Sequence, residues 1–482
     1  MESEATGRDE IARQRENWRT PIALTAGFAA LDLWVDMLGH SQATAPAQSV
    51  LQSALTNGRM VWLVGLVIIC ALIVALPKQS ARAAKRADAP IAALAAIGAV
   101  AYTLNGLYGP ESALFGVAVL YLAGLGYAWF EVRLIVETVH IERFVDAVWV
   151  IAASRILKTL LEPAFGALPN LLQAALIPCL PLIVFTTLLP LRKEKEPDII
   201  RATERVRIPL SKGSQIVVAM MVLACPISMA VARSFSSLAF WGETRIIDGS
   251  SFMTAVLSSF IFFCCITTVF TRCPDSKEII RRFVIAIVVL VGFVMFFEPG
   301  RLQALGVPEM IGDSFATASE LLSHVLFWLS AVAAIRMVDW HPYRLAAMTE
   351  LVMSSLGVVL GLLMQASQQA TGYILEILLY ALMVCAVALA WRVQGSAPAI
   401  AEAESLDRVC ARIAAEHNLT QRETEVFTLL AQGRSRTFIQ SELFLADSTV
   451  KTYTNHIYRK LDIHSKQDLI SLVRQADGPS SK

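Results

Sequence analysis

A helix needs about 20 predominantly apolar residues to cross roughly 30 Å of hydrocarbon, and this chain offers such a run repeatedly. Seven runs are free of charge inside: 60–76, 90–108, 112–130, 172–191, 213–232, 250–271 and 283–297, the last needing its flanks to reach across. Five more are long enough but carry ionisable residues: 21–39, 144–162, 315–335, 345–364 and 371–391. The composition agrees. Of 482 residues, 55% are hydrophobic and 17% charged, with a mean hydropathy of +0.56, whereas a soluble domain carries about 25% charge. One soluble core cannot absorb that excess, and disorder is excluded. Eight cysteines, most of them inside apolar runs, are too sparse for a disulfide scaffold and read as packing residues. A formal net charge of +1 gives no global field, so partners must be read from local patches. The expectation is an all-α chain whose larger part is a bundle of about twelve transmembrane helices.

Charge in the connecting segments orients the bundle. If all twelve runs cross, Lys and Arg number 23 on the side of the N-terminus and 4 on the other. The positive-inside rule then puts both termini in the cytoplasm, and the chain in a bacterial cytoplasmic (inner) membrane. The weakest run is 144–162, which holds Asp146, Arg155 and Lys158 and also reads as an interfacial helix; deleting it would export everything downstream. The expected organisation is a cytoplasmic segment 1–20, too mixed in charge for a secretory signal, then a membrane domain 21–391. Its two six-span halves, 21–191 and 213–391, are joined by the charged loop 192–212. This layout resembles the major facilitator transporters in topology. Their glycine- and arginine-rich signature between spans two and three is absent, the segment here reading PKQSARAAKRADA, so the likeness implies the fold and lends no support to transport.

After Trp391 the composition changes. GSAPA at 395–399 reads as a linker and 400–417 as a short amphipathic helix, giving a connecting region over 392–418 and a soluble domain over 419–475. The soluble part reads as four short helices. Thr420 and Glu423 have capping-box spacing, Val426, Leu429 and Leu430 form an apolar stripe, and Gly433 ends the first helix. The second starts near Ser435 and buries Ile439 and Leu443. Asp447 or Ser448 caps a third, with Val450, Tyr453, Ile457 and Leu461 on its apolar face and Ser448, Lys451, Thr452, Asn455 and Arg459 on the other. A fourth, about 465–475, carries Leu469, Ile470, Leu472 and Val473. Two short helices joined by a tight turn, the second with one hydrogen-bonding face, make a helix-turn-helix whose second helix fits the major groove. Lys451 can donate to guanine or phosphate and Asn455 can bind adenine through both amide groups.

The segment LTQRETEV (Leu419 to Val426), the Gly433 turn, Ile439 with Leu443-Phe444-Leu445, Thr449-Val450-Lys451 and Ile457-Tyr458-Arg459-Lys460-Leu461 together resemble the DNA-binding domain of LuxR-type transcriptional regulators. The likeness covers about 55 of the 482 residues. It implies double-stranded DNA as partner, Lys451, Thr452 and Asn455 reading bases, Ser448, Thr449 and Tyr453 on the backbone, and a homodimer formed through the fourth helix by Leu469, Leu472 and Val473. One position departs from the pattern: Gln440 stands where the family has Ala after the second helix's Ile, and a bundle that does not bind DNA is the alternative this leaves open.

A charge at mid-bilayer costs about 2.5–3.5 kcal/mol on insertion scales. Asp32 and Asp36 share a face of span one, Arg155 and Lys158 lie three apart in span five, and Glu320 and His324 four apart in span ten. Either Asp32, Asp36, Glu320 and His324 line a cavity for a small-molecule ligand, or the acids of span one pair with the bases of span five. Glu350 and Glu376 lie about a turn from their span ends and read as snorkelling. His456 and His464 lack partnering cysteines, so no metal is expected. With no phosphate loop, nucleophile elbow or HExxH pair there is no catalytic reading and no cofactor. The expected function is a membrane-bound transcriptional regulator that senses a small molecule or a membrane signal. A transporter with a regulatory tail is the alternative; spans serving only as an anchor, with the tail released by proteolysis, are a third reading.

Overall fold

The computed structural model describes residues 2–40, 58–108, 113–193, 196–206, 224–229, 252–270, 276–297, 299–366, single positions between 374 and 384, and 409–432, 435–443 and 445–477. It divides into two compact units, Met1–Leu389 and Ala390–Lys482. Among the described residues there is no strand.

The first unit opens with α1 (Glu2–His40), α2 (Gly58–Ala75), α3 (Pro77–Tyr108), α4 (Ala113–Glu137) and α5 (Phe144–Gly166). The sixth expected span is broken into α6 (Asn170–Leu176) and α7 (Cys179–Leu188), and a charged α8 (Glu196–Arg205) follows. After it come α9 (Phe252–Phe270), α10 (Ser276–Phe296), the short α11 (Pro299–Ala304), α12 (Glu309–Met337) and α13 (Pro342–Ala366). Seven described segments are long and apolar enough to cross a membrane, and Trp62–Ala75 is a shorter apolar helix. The expected span 144–162 is helical within α5 and 283–297 is helical through Phe296 of α10, whereas 213–232 and 371–391, with Glu376, lie largely outside the described residues. Nor is PKQSARAAKRADA a loop: it is the first part of α3, which is separated from α2 by Leu76 alone.

Helices of the two halves interleave. α2 and α4 pack on α13, and α5 packs on α9 and α12. Small residues set the closest approaches: a Cβ on Gly124 of α4 would lie 2.8 Å from the Trp62 carbonyl oxygen of α2, so only glycine lets these backbones meet. α12 is enclosed by its neighbours, buried from Leu321 through Met337 without interruption. Apolar side chains on α2, α3 and α9, among them Leu72, Ile97 and Phe260, instead face outward as a lipid-contacting surface requires.

The second unit contains α14 (Gln421–Ala431), α15 (Arg436–Leu443), α16 (Asp447–Leu461) and α17 (Lys466–Asp477), preceded by helical residues 409–416. Its own core gathers Cys410, Val426, Phe427, Ile439, Val450, Ile457, Leu469 and Val473. Thr420 and Glu423 form the capping box. At α16 the N-cap is Ala446, with no side-chain cap, rather than Asp447 or Ser448; Asp447 occupies the first turn, and Arg459 and Lys460 the last, each matching the helix dipole. The fourth helix departs from expectation more sharply. Leu469 and Val473 are fully buried in the unit's own core, so these two do not face outward, while Leu472 is half-buried and packs against that core. Gly433 lies outside the described residues; α14 ends at Ala431.

Candidate nucleic-acid interface and buried polar sites

Val450, Thr454, Ile457 and Leu461 fix the rotation of α16 by burying one side of it. The opposite side then presents Ser448, Lys451, Thr452, Asn455 and Arg459 to solvent, with Thr449 and Tyr453 half-buried at its margins. The Thr452 hydroxyl donates to the Ser448 carbonyl one turn back (2.9 Å), whereas Lys451, Asn455 and Arg459 project from three successive positions along the face. Such a row of donors, one of them an amide able to both donate and accept, matches what a helix in the major groove needs.

Gln440 is accommodated. Its side-chain amide donates to the Asp447 carboxylate at the head of α16, while the preceding Ile439 is fully buried. The departure from the family pattern therefore ties α15 to α16. Glu423 ties α14 to α16: Lys460 Nζ donates to its carboxylate at 2.6 Å, and the Thr420 N–H at 2.8 Å. Burial pushes this carboxyl up, but the hydrogen bonds from Lys460 and Thr420 outweigh it and hold the group below its ordinary value.

The profile of "Bacterial regulatory proteins, luxR family" matches residues 417–473. Over 60 residues the chain is 37% identical to the spore germination protein GerE of Bacillus subtilis, a stretch that is 81% of that protein and 12% of this one. The chain belongs to the luxR family of bacterial regulatory proteins. A second relative, the uncharacterized response regulatory protein YgeK of Escherichia coli, is 36% identical over 64 residues, which span 44% of its length and 13% of this chain. Outside the luxR domain the likeness is to a fold. A proton:xylose symporter of the major facilitator superfamily superposes with a TM-score of 0.50 at 11% identity, over 78% of this chain and 95% of the symporter. This luxR protein therefore joins a DNA-binding regulator domain to a membrane domain of major facilitator fold.

Within that membrane domain, Asp32 pairs with Arg155, and Asp36 with Lys158, which also holds Glu162 at 2.7 Å. The acids of span one thus meet the bases of span five, and Glu320 lies within electrostatic reach of both bases. The Tyr127 hydroxyl approaches Asp32 at 3.5 Å. His324 is buried, its Nδ1 3.3 Å from the Glu320 carbonyl of its own helix and its ring 6.2 Å from that of Trp328. Asp146 forms an exposed ion pair with Arg143 (2.9 Å).

Glu350 does not snorkel. It is fully buried, accepts from the Ser354 hydroxyl, and lies against Glu131 of α4. Sequence reading missed Glu131 and the network beyond it. Arg133 bonds Asp88, Glu137 (2.5 Å) and the Tyr343 hydroxyl (2.8 Å), while Trp129 donates to Asp88 at 2.9 Å. Arg336 donates to the carbonyls of Ile141 and Glu142 just past the end of α4. The apolar run of span four ends at residue 130 before the first charge, while the helix continues to Glu137. The i, i+4 spacing of Trp129, Arg133 and Glu137 was the available signal that the helix continues.

Proposed function

We propose that the protein is a membrane-bound DNA-binding transcriptional regulator whose membrane domain senses a small molecule or a membrane signal. The observation that carries this reading is the outward row of Lys451, Asn455 and Arg459 on α16 of a luxR domain with its own core. DNA in the cytoplasm requires the C-terminus there, in agreement with the Lys and Arg surplus on that side. A homodimer on two half-sites would multiply affinity and specificity. With Leu469 and Val473 engaged internally, its contact on α17 falls to the outward stripe Gln467, Ile470 and Ser471. Asp32, Asp36, Glu320 and His324 remain the proposed ligand-facing groups, with the ion pairs to Arg155 and Lys158 as the contacts a ligand would exchange. Moving a two-state equilibrium from 1:99 to 99:1 takes about 5.5 kcal/mol of differential binding, a scale that rearranged buried ion pairs reach.

The deciding experiment is DNA binding by residues 395–482 on fragments from the protein's own upstream region at fixed salt, beside Lys451→Ala and Asn455→Ala. Sequence-selective binding lost in both variants supports a regulator. Equal binding to all DNA, or none, removes the reading and favours a transporter with a regulatory tail. That second reading draws on the membrane fold and its interior charges; solute uptake into proteoliposomes, abolished by Asp32→Ala, is its test.

A further inference from the structure

Two polar groups in the ion-paired cluster of α1 and α5 are not matched by the protein. Arg155 donates from Nη1 to Asp32, but its Nε is buried and, among the described residues, nothing accepts from it. The Thr159 hydroxyl, one turn further along the same face of α5, is buried and likewise unmatched among the described residues. Other hydroxyls in the bundle bond back to their own helix: Ser154 of α5 donates to the Ile151 carbonyl at 2.7 Å, and Thr187 of α7 to the Val184 carbonyl at 2.7 Å. A buried N–H without an acceptor costs its full desolvation. Nε also lies on the edge of the guanidinium through which arginine holds a carboxylate by two parallel bonds. Arg155 Nε and the Thr159 hydroxyl therefore fit a carboxylate group.

The groups around that edge decide what else the ligand carries. Asp32 and Asp36 come from α1 and Glu162 from α5, and Glu320 of α12 lies within electrostatic reach of Arg155 and Lys158. A ligand with a carboxylate alone would set a further anion among these acids, and like charges in a poorly solvated site repel. A cation alone would leave Nε and the hydroxyl unmatched and would compete with Arg155 and Lys158 for their acids. A ligand with both charges meets both demands. Its carboxylate docks on Arg155 and Thr159, and its ammonium faces Asp36, which shares Lys158 with Glu162. Arg155 and Asp32 touch, so the two charges are near neighbours on the ligand, as in an α-amino acid. Side-chain exposure rises from 2% at Asp32 and 3% at Arg155 to 15% at Asp36 and 20% at Glu162, so the cluster is approached from the ends of α1 and α5. Resting on the reading of this cluster as ligand-facing, we infer that the membrane domain binds a zwitterionic amino acid, its carboxylate on Arg155 and Thr159 and its ammonium on Asp36.

The test uses the full chain in lipid nanodiscs with no DNA present. Thermal unfolding, followed by intrinsic fluorescence, is compared for each common L-amino acid, for the amine that lacks its carboxylate and for the carboxylic acid that lacks its amine. One or more amino acids raise the Tm, and in titrations the matching amine and acid bind at least about tenfold more weakly. Thr159→Val keeps the side-chain shape and removes the hydroxyl, while Arg155→Lys keeps a cation facing Asp32 and removes the two-bond edge. Each weakens the amino acid by about tenfold or more. The Tm without ligand shows whether a variant has kept its fold, and the ligand series on the wild type needs no variant. No amino acid binding, an amine or acid binding as tightly as its amino acid, or two folded variants that bind like the wild type would each overturn the assignment. Such a result leaves the regulator reading standing, because DNA binding by residues 395–482 decides that separately. An amino acid that binds in nanodiscs while that domain ignores DNA removes the regulator and keeps the site.

Discussion

Lys451, Asn455 and Arg459 share one helix face, and the proposed reading gives them different work on DNA. A side chain that makes a bidentate contact to a base is worth about 1–3 kcal/mol of discrimination, whereas a phosphate contact weakens binding evenly across sequences. Replacing Asn455 by Ala should cost that 1–3 kcal/mol on the preferred site and flatten the preference at one base pair. Replacing Arg459, nearer the C-terminal end of α16, should reduce affinity for all DNA and lower the salt slope by about one, as read by fluorescence anisotropy at several salt concentrations. The buried pair Asp32–Arg155 obeys different arithmetic. Removing one partner leaves the other's charge uncompensated in the interior, a loss of about 3–5 kcal/mol. Asp32→Asn should therefore lower the melting temperature in detergent more than Asp32→Asn combined with Arg155→Gln. If the double variant is the less stable one, the pair contributes more than mutual neutralisation.

Among the elements, α14 was legible in the sequence almost completely, because capping is a matter of residues three apart. Thr420→Ala should cost the isolated domain about 1 kcal/mol. Glu423 adds a pH dependence whose sign follows from its partners. Its folded value lies below the ordinary 4.5, so its contribution is present in full above that value and fades as pH falls through the folded one. The melting temperature of residues 395–482 should then decline more steeply on acidification in the wild type than in Glu423→Gln. α17 was legible in its position and not in its direction. Periodicity shows that Leu469, Leu472 and Val473 share a side; whether that side turns to the domain's own core or to a second subunit depends on α14 and α16, which no local pattern encodes. Glu131 failed for the complementary reason: hydropathy treats a charge as the end of a span, while the Trp328 indole N–H gives this carboxyl group a partner inside. At the α2–α4 crossing, Gly124→Ala pushes a methyl group against a backbone carbonyl and should cost about 1–3 kcal/mol. Gly27→Ala meets mainly side-chain atoms of Thr187 and Leu134, and a smaller loss is expected there.

For the whole molecule, topology is the claim with the widest consequence. The Lys and Arg surplus on one side predicts that epitope tags at both ends stay protected from protease in intact spheroplasts and become cleavable only on lysis. Cleavage of the C-terminal tag without lysis would mean an odd number of crossings and would separate the luxR domain from DNA. Apolar spans were legible in the sequence because lipid imposes one length and one polarity on each, and seven described segments have both. What joins the spans was not countable: the pairing of α1 with α5 and of α4 with α13 links residues more than a hundred positions apart through side chains that hydropathy scores merely as interruptions.

The enclosure of α12 has its own bearing on what the membrane domain can feel. A helix wrapped on all sides by protein from Leu321 to Met337 touches no acyl chain along that length, so thinning or thickening the bilayer acts first on the outer surfaces of α2, α3 and α9. Those helices can tilt to follow the lipid. α12 has no lipid to follow, and it becomes the fixed reference against which every tilt around it is measured.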